Sequence, residues 1–507
     1  MGTGKASSWK EVGTRTVFYF LLFIILIEVI ALFSWCIRAL GPFPTFLSWT
    51  YDVAQLESQI FYATAPLTPI LFTIFIFSWA LKPLLKTIMP KDLYVKIGYK
   101  IHPLDSSSSS SSPQRKASRK YATKIVLLAS IILSVFLALY PYSPALNPDQ
   151  HFVGVDIKDY VTYLDRIGNQ TSISQSIHYA FTSHRDRPLG LLMMYTIHLA
   201  SGLSIEAVAM FLPAILAPLT ILSAFFFAKE AQFDNTVTCL ITVFAVFSYH
   251  IVTGIYAGLL SNWIALILVY VFSALFVKSI RLRSWIYGGG AAIVAVLVFF
   301  SHSETWGVLM SVTAAFTILQ IAKTIKHKEA FFSWETKLSA TIIGSNLIVN
   351  LLRNYALSFG SAFEVVGAAQ TGLSAQSILN YWSILYYTYY THMFHTFLNP
   401  LMAFLALAGA FEILSVRNHT NIYLMSWIIA PAVPFTMASY VIQARILYNI
   451  PMAVFVAYGL HVIFQVLEDN LERKQCYMIR TTLVTAVIIQ GLNYAIRLMF
   501  DISNLTF

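Results

Sequence analysis

The chain has 507 residues, of which 57% are hydrophobic and 11% charged, and its mean hydropathy is +0.68. This composition excludes an ordinary soluble domain, in which about a quarter of the residues are charged. The formal net charge of +10 is compatible with nucleic-acid binding, but in a membrane protein basic residues must first be compared with the topology. Cys36, Cys239 and Cys476 lie far apart in the sequence, so neither a disulfide framework nor a zinc site is predicted.

Long, nearly uncharged windows predict an all-α polytopic membrane protein with about 13 transmembrane helices. The first apolar stretch, 17–37, is too long for the core of a cleavable signal peptide and is therefore taken as the first span. Glu28 lies in its middle, where a carboxylate must be neutral, hydrogen-bonded or functional. Apart from Glu28, we expect no ionisable residue deep within the spans. The other predicted spans are approximately 60–81, 125–140, 206–228, 236–252, 260–277, 286–300, 305–322, 338–352, 394–414, 421–441, 446–467 and 480–500.

Composition divides the chain into three parts. A two-helix N-terminal unit (1–81) is followed by a serine-rich basic linker (82–124), whose composition cannot bury a core. The third part is a transmembrane domain (125–507) that includes a long polar outer loop (141–205).

The distribution of basic residues predicts the orientation of this multi-pass protein. With a cytoplasmic N-terminus and alternating spans, 25 of the 33 Lys and Arg residues fall on the cytoplasmic side, as the positive-inside rule requires. Successive spans place the basic residues on the cytoplasmic side only if residues 188–200 lie along the membrane surface and do not cross it. The loop 141–205 and the segments 254–262, 301–304, 353–393 and 443–445 are then on the outer or luminal face, where they could build one site. The lipid bilayer therefore accounts for the charge, and we predict no nucleic-acid partner.

The acidic part of the outer loop contains the first candidate catalytic residues. From Asp156 onward the apolar spacing predicts a short amphipathic helix on the membrane surface. Asp156 and Asp159 are one helical turn apart, so both can face one cavity. A carboxylate that is partly shielded from water can act as a general base on a hydroxyl or amine. The alternative is that both carboxylates only solvate the helix.

Basic residues are scarce on the predicted outer side, and four of them lie near membrane edges. An arginine at such a position can bind a lipid phosphate through two parallel hydrogen bonds. The alternative is ordinary snorkelling toward the head groups. The four candidates are Arg185, Arg187, Arg353 and Arg445.

Two further segments on this side have open interpretations. The turn SHSETW (301–306) contains His302 and Glu304, which could provide a proton relay, a metal ligand, sugar contacts or only a polar cap. The aromatic run YWSILYYTYY (381–390) suits an interfacial belt, or stacking against a sugar or a polyprenyl tail. His392 and His395 follow it without an obvious third ligand, so no metal residue is assigned. No cofactor is identified, and a divalent metal stays an open alternative.

Four motifs occur in order from about residue 121 onward. GVDIKDY (154–160) matches a Gly-x-Asp-x-x-x-Tyr pattern in the first outer loop. RPLGLL (187–192) is similar to the Lys-Pro-Pro-Leu stretch of aminoarabinose transferases and protein O-mannosyltransferase relatives. FLPA (211–214) opens a span, and RILYNIP (445–451) is similar to an Arg-Tyr-Leu-x-x-x-Pro entry to a late span. Taken in order, the four motifs resemble those of the GT-C superfamily of integral-membrane glycosyltransferases.

The resemblance implies inverting transfer of a sugar from a polyprenyl-phosphate donor, such as a dolichyl phosphate sugar, to a lipid-linked glycan or protein. It implies Asp156 as the general base, with Asp159 in support. The phosphate of the donor would be bound by arginines, and the substrate by polar residues of the same face. The resemblance gives Arg187 and Arg445 as candidates for the phosphate. Arg353, from its place at a membrane edge, is a third candidate, and Tyr160, His302 and Glu304 are the candidates for binding the substrate.

The chain also departs from the family pattern. It has no WWD motif, and its two aspartates are separated where those of protein mannosyltransferases are adjacent. The two N-terminal helices and the linker have no counterpart. The main alternative is a non-enzymatic lipid or solute transporter or flippase, for which ionisable residues within several spans and broken helices are expected. A third alternative keeps the fold without catalysis, as a lipid-binding or assembly subunit.

Overall fold

The computed structural model describes residues 3–42, 44–88, 113–184, 186–327, 333–356, 380–416, 418–437 and 439–503. Within these ranges the chain forms helices and no strand. Eight helical stretches are long and apolar enough to cross a membrane, or nine if one bent pair counts as a single span. The prediction of an all-α polytopic membrane protein is therefore confirmed, whereas the number 13 stays a prediction. The serine run 106–112, Arg185 and residues 357–379 lie outside the described residues.

The N-terminal part contains four helices where two spans were predicted. The predicted span 60–81 is not one continuous helix, because a helix ends at Thr64 and the next is bent by 46° against it. Pro66 lies two residues after that end, and a proline has no backbone N–H and clashes with the preceding turn. The helices are α1 (Thr3–Arg38), α2 (Ser48–Thr64), α3 (Leu67–Ile76) and α4 (Ser78–Ile88).

The polar loop 141–205 forms three short helices, and the remaining helices build the bundle. Pro188–Ser201 is apolar but shorter than a spanning helix, as the sequence predicted. The helices are α5 (Pro113–Leu139), α6 (Ile157–Gly168), α7 (Ile173–Ser183), α8 (Pro188–Ser201), α9 (Ile205–Phe211), α10 (Pro213–Glu230), α11 (Asn235–Val246), α12 (Tyr249–Ala257), α13 (Leu260–Leu282), α14 (Trp285–Ser301), α15 (Ser303–His327), α16 (Trp334–Ala356), α17 (Tyr381–Tyr386), α18 (Pro400–Ile413), α19 (His419–Met437), α20 (Tyr440–Asn449), α21 (Met452–Asn470) and α22 (Arg473–Ser503).

The centre of the bundle is α12, in which every residue is buried. Around it, α10 packs against α5 and α13, and α18 packs against α21. At the α18–α21 crossing, a Cβ atom on Gly409 or Gly459 would overlap the backbone of the other helix. Such close approach of small residues is how helices associate in lipid, where burial of apolar surface gives no net attraction.

The N-terminal helices are joined to α22 by buried polar contacts. Asn493 Nδ2 donates to Glu28 Oε2 at 2.6 Å, and Arg497 Nη1 donates to Glu57 Oε2 at 3.0 Å. The interpretation of Glu28 as a residue hydrogen-bonded between helices is therefore confirmed. Arg497 in α22 and Glu412 in α18, which lie near the C-terminal ends of their helices, are buried as well. Polar side chains are tolerated inside a membrane bundle where residues of neighbouring helices pair with them.

The two ends of α22 identify the two ends of the bundle. Near its C-terminus, Phe500 contacts the ring of Trp35, and the Tyr140 hydroxyl after α5 donates to the carbonyl of Trp35. This end, which continues into α6–α8, is called the loop end. Arg473 at the start of α22 marks the opposite end, about 46 Å away for 31 residues at 1.5 Å each.

Candidate functional site

Asp156 is fixed by the backbone at the C-terminus of α12. The N–H groups of Val155 and Asp156 donate to the carbonyls of Tyr256 at 3.0 Å and Ala257 at 3.1 Å. Gly154 has φ +119°, and a Cβ atom there would lie 3.0 Å from the Cα of Gly258. A side chain at Gly154 is therefore excluded by both conformation and space. Gly154, the glycine of the GVDIKDY motif, lets the Asp156 segment lie directly against α12.

Substitution of Gly154 by alanine should lower the free energy of unfolding by about 1–3 kcal/mol, because a residue with a side chain is strained at this φ. Thermal unfolding of the detergent-solubilised protein measures the effect. Gly289→Ala is the matched control, since Gly289 lies within α14 and has no atom within 4 Å of an added Cβ. Equal stability of the two variants would contradict the tight packing at Gly154.

The Asp156 carboxyl is half-buried beside one acidic and two basic groups. Burial raises its pKa above the ordinary aspartate value, Arg187 and Arg445 lower it, and Asp159 adds to the rise. The net direction is upward. Asp159 itself is exposed in the first turn of α6. The structure thus brings Asp156 together with both predicted phosphate-binding arginines, while Asp159 lies at the edge.

Arg187 is held at the start of α8 by a carboxylate and a phenol. Its Nε and Nη2 lie 2.7 and 2.6 Å from Asp186 Oδ2, and its Nη1 donates to Tyr160 Oη at 3.3 Å. Tyr160 is buried, and its Oη also accepts the backbone N–H of Ser261 at 3.0 Å. The Arg187 side chain keeps 19% of its surface exposed. It is therefore positioned by α6 and α13 yet still accessible to an anion.

Arg445 approaches from α20 and pairs with Glu304 in the first turn of α15. Its side chain is 27% exposed, so part of the guanidinium is also accessible. The backbone joins this pair to the Arg187 region, because Ser303 N donates to the carbonyl of Asp186 at 2.9 Å. Both arginines therefore lie along one wall at the loop end.

A buried hydrogen-bond network supports that wall. Thr305 Oγ1 donates to Asn262 Oδ1 at 2.7 Å and lies 3.0 Å from His302 Nδ1. His302 is buried, and burial, together with the charges of Arg445 and Arg187, lowers the pKa of its imidazole well below the ordinary value. His302 is therefore neutral at pH 7 and links α14 to α13 through Thr305.

Arg353 lies elsewhere on the same side. Its guanidinium carbon is 4.2 Å from the centroid of the Phe299 ring, near the end of α14. By contrast, the charges that act on both Asp156 and His302 are those of Arg187 and Arg445. We therefore leave Arg353 outside the core of the candidate site. Arg185 lies outside the described residues.

The aromatic run does not form one continuous surface. Its first part is α17, and residues Tyr387–His392 follow as a π-helical turn. Trp382 and Tyr386 are exposed, whereas Tyr389 is fully buried. Belt and stacking interpretations therefore apply only to the exposed rings. In the described ranges, no three His, Cys, Asp or Glu side chains come together in a way that could hold a metal ion.

Sequence reasoning missed several residues of the wall. Asp186 lies within the predicted outer loop 141–205 but received no role, although it is the carboxylate that fixes the Arg187 guanidinium. Ser261 and Asn262 were included only within the segment 254–262, and Thr305 only within the turn 301–306. Their proximity to Asp156 and Arg445 depends on contacts between helices, for which a single sequence carries no signal.

No protein-family model matches the chain, and no curated protein matches it. The class that the fold defines is an all-helical multi-pass membrane protein. At its loop end this protein carries a half-buried carboxylate beside two accessible arginines. This arrangement can accept a proton at Asp156 and bind an anion at Arg187 and Arg445.

Proposed function

We propose that the protein is an inverting glycosyltransferase that moves a sugar from a polyprenyl-phosphate donor to an acceptor on the outer or luminal face. The proposal rests on one observation: Arg187 and Arg445 lie close enough to Asp156 for their charges to act on its carboxyl group. A transferase of this kind needs a base for the acceptor and positive charge for the leaving phosphate. A membrane bundle supplies the lipid environment for the polyprenyl tail.

The reaction is a single displacement at the anomeric carbon. The Asp156 carboxylate takes the proton from the acceptor hydroxyl or amine, whose freed electron pair forms the new bond to that carbon. The bond from the carbon to the phosphate oxygen breaks on the opposite face, and its electron pair leaves with the polyprenyl phosphate. Arg187 and Arg445 stabilise the charge that develops on the phosphate.

The neighbouring groups have supporting roles in this proposal. Tyr160 orients Arg187 through its hydroxyl, and Asp159 helps to keep the pKa of Asp156 above its ordinary value. His302 and Glu304 stay candidates for sugar contacts at the end of α15. Asp186 and Glu304 pair with the arginines, so the donor phosphate must replace part of these contacts.

Arg187→Gln should lower kcat/KM for the donor about tenfold or more, because it removes a charged hydrogen-bonding group worth about 1.5–3 kcal/mol. It should also change the pH profile. The charge of Arg187 lowers the pKa of Asp156, so its removal raises that pKa further. Since the base acts only when deprotonated, the acidic limb of kcat/KM moves to higher pH. Initial rates across a pH series measure the shift.

Arg166→Gln is the control for the pH series, because Arg166 is an exposed arginine on α6 whose charge is absent from the groups that shift the pKa of Asp156. Its acidic limb should match that of the unmodified protein. If the acidic limb of kcat/KM does not move in Arg187→Gln, Arg187 does not act on the pKa of the base. An equal shift in both variants would indicate only a general change in surface charge.

The function is tested by mass spectrometry of lipid-linked glycans and glycoproteins in a deletion strain. A missing sugar residue identifies both the sugar and its acceptor, and the unmodified gene should restore it. Reconstituted protein should then transfer that sugar from its polyprenyl-phosphate donor. Unchanged glycans in the deletion strain, with no transfer in vitro, would overturn the proposal.

The alternative is a lipid or solute transporter, and one observation favours it. Buried ionisable residues meet between α1, α2 and α22, and the helices α2 and α3 are bent at Pro66. Such features are expected in transporters. Uptake or flipping by proteoliposomes in the absence of sugar transfer would support this alternative over the transferase.

A further inference from the structure

A cavity lies at the end of the bundle opposite the loop end, about 46 Å away along α22. Its volume is about 1100 Å³, and its described lining comes from the end of α21 and the first turns of α22. It shares no lining residue with the candidate transfer site, so an inference about it is independent of the proposed function.

The rim of this cavity is basic. Arg473, Lys474 and Arg480 line it together with one acidic residue, Glu468, so the net charge of these side chains is +2. Arg480 pairs with Glu468, and its guanidinium carbon lies 4.4 Å from the centroid of the Phe464 ring. Arg473 and Lys474 are exposed and form no ion pair with any side chain in the described part of the chain. Two positive charges are therefore available to an anion.

The deeper wall of the cavity is less polar than its basic rim. Thr481, Val484 and Thr485 follow the basic residues along α22 and also line the cavity. They belong to the apolar stretch of α22 that is long enough to cross a membrane. The same cavity is therefore charged at the rim and weakly polar to apolar where it runs along the span.

We infer that this cavity binds one anionic phospholipid of the adjoining leaflet. The phosphate lies against Arg473, Lys474 and the fixed guanidinium of Arg480, and an acyl chain follows α22 past Val484. Basic pockets at the ends of membrane helices attract anionic head groups, and charge complementarity at the rim selects this class of lipid. A free phosphate would contact only the basic residues of the rim, whereas a lipid would contact both the rim and the deeper wall.

Native mass spectrometry of the detergent-purified full chain with added palmitoyl-oleoyl-phosphatidylglycerol tests the inference. The unmodified protein should retain one molecule of this lipid and bind the corresponding phosphatidylcholine more weakly. Each basic residue near an anionic head group contributes about fivefold in affinity, so the double variant Arg473→Gln/Lys474→Gln should bind about 25-fold more weakly. Val484→Trp, which fills the deeper part, should also weaken binding.

Lys323→Gln/Lys326→Gln is the matched control, because it removes two positive charges near the end of α15 on the same side of the bundle. Phosphatidylglycerol binding should be unchanged in it. Equal binding of phosphatidylcholine, or an equal loss in the control, would overturn the inference. Unchanged binding in Val484→Trp, with displacement of the lipid by inorganic phosphate, would show a simple anion site and overturn it as well.

Discussion

Asp156→Asn should lower kcat for sugar transfer by about 10²–10⁴-fold, which is the usual contribution of a general base. The amide keeps the size of the side chain but cannot take the acceptor proton. The fold should be unaffected, because the Asp156 carboxyl makes no capping hydrogen bond to α6 and is placed by its backbone. Initial-rate kinetics with the donor identified from the deletion strain measure the effect, and KM for the donor should change little.

Asp165→Asn is the matched control for this experiment, since Asp165 is an exposed aspartate on the same helix. It should retain the activity of the unmodified protein. Full activity of Asp156→Asn would remove Asp156 from the mechanism. A combined loss of activity and thermal stability in that variant would instead assign Asp156 a structural role.

Arg497→Leu should lower the free energy of unfolding by about 3–5 kcal/mol, the cost of removing one partner from a buried ion pair. Arg497 is 1% exposed, and its Nη1 lies 3.0 and 3.3 Å from the two carboxylate oxygens of Glu57. Its guanidinium carbon is also 4.0 Å from the centroid of the Phe61 ring. The variant leaves the Glu57 carboxylate buried without this partner. Thermal unfolding in detergent at fixed pH measures the loss.

The double variant Glu57→Gln/Arg497→Leu separates the charge from the packing. Removing both members of a buried pair costs much less than removing one, so the double variant should recover a large part of the lost stability. If the double variant is no more stable than Arg497→Leu, the guanidinium acts through its contact with Phe61 and not through its charge.

The fold class could be predicted because a membrane imposes one dominant constraint. A spanning segment must be apolar and must satisfy its own backbone, so composition alone indicates helices. The limits of these helices were less predictable. Pro66 divides one predicted span, and the predicted span 394–414 becomes the shorter helix Pro400–Ile413. Local hydropathy does not report where a neighbouring helix replaces lipid.

The candidate site was predictable in part. Topology counting assigned the segments around Asp156, His302 and Arg445 to one side, and the structure brings Arg187 and Arg445 close enough to Asp156 to shift its pKa. The pairings of Asp186 with Arg187 and of Thr305 with Asn262 were not predicted. Such contacts depend on how helices are packed, whereas sequence spacing reports only which residues share a face.

The pairing of the first and last helices has a consequence for biosynthesis. Glu28 and its partner Asn493 are separated by 465 residues, and Glu57 and Arg497 by 440. At a synthesis rate of about 5–20 residues per second, α1 and α2 wait on the order of half a minute or longer before α22 emerges. During that interval their carboxyl groups lack these partners. Completion of the buried polar cluster is therefore a late step of assembly.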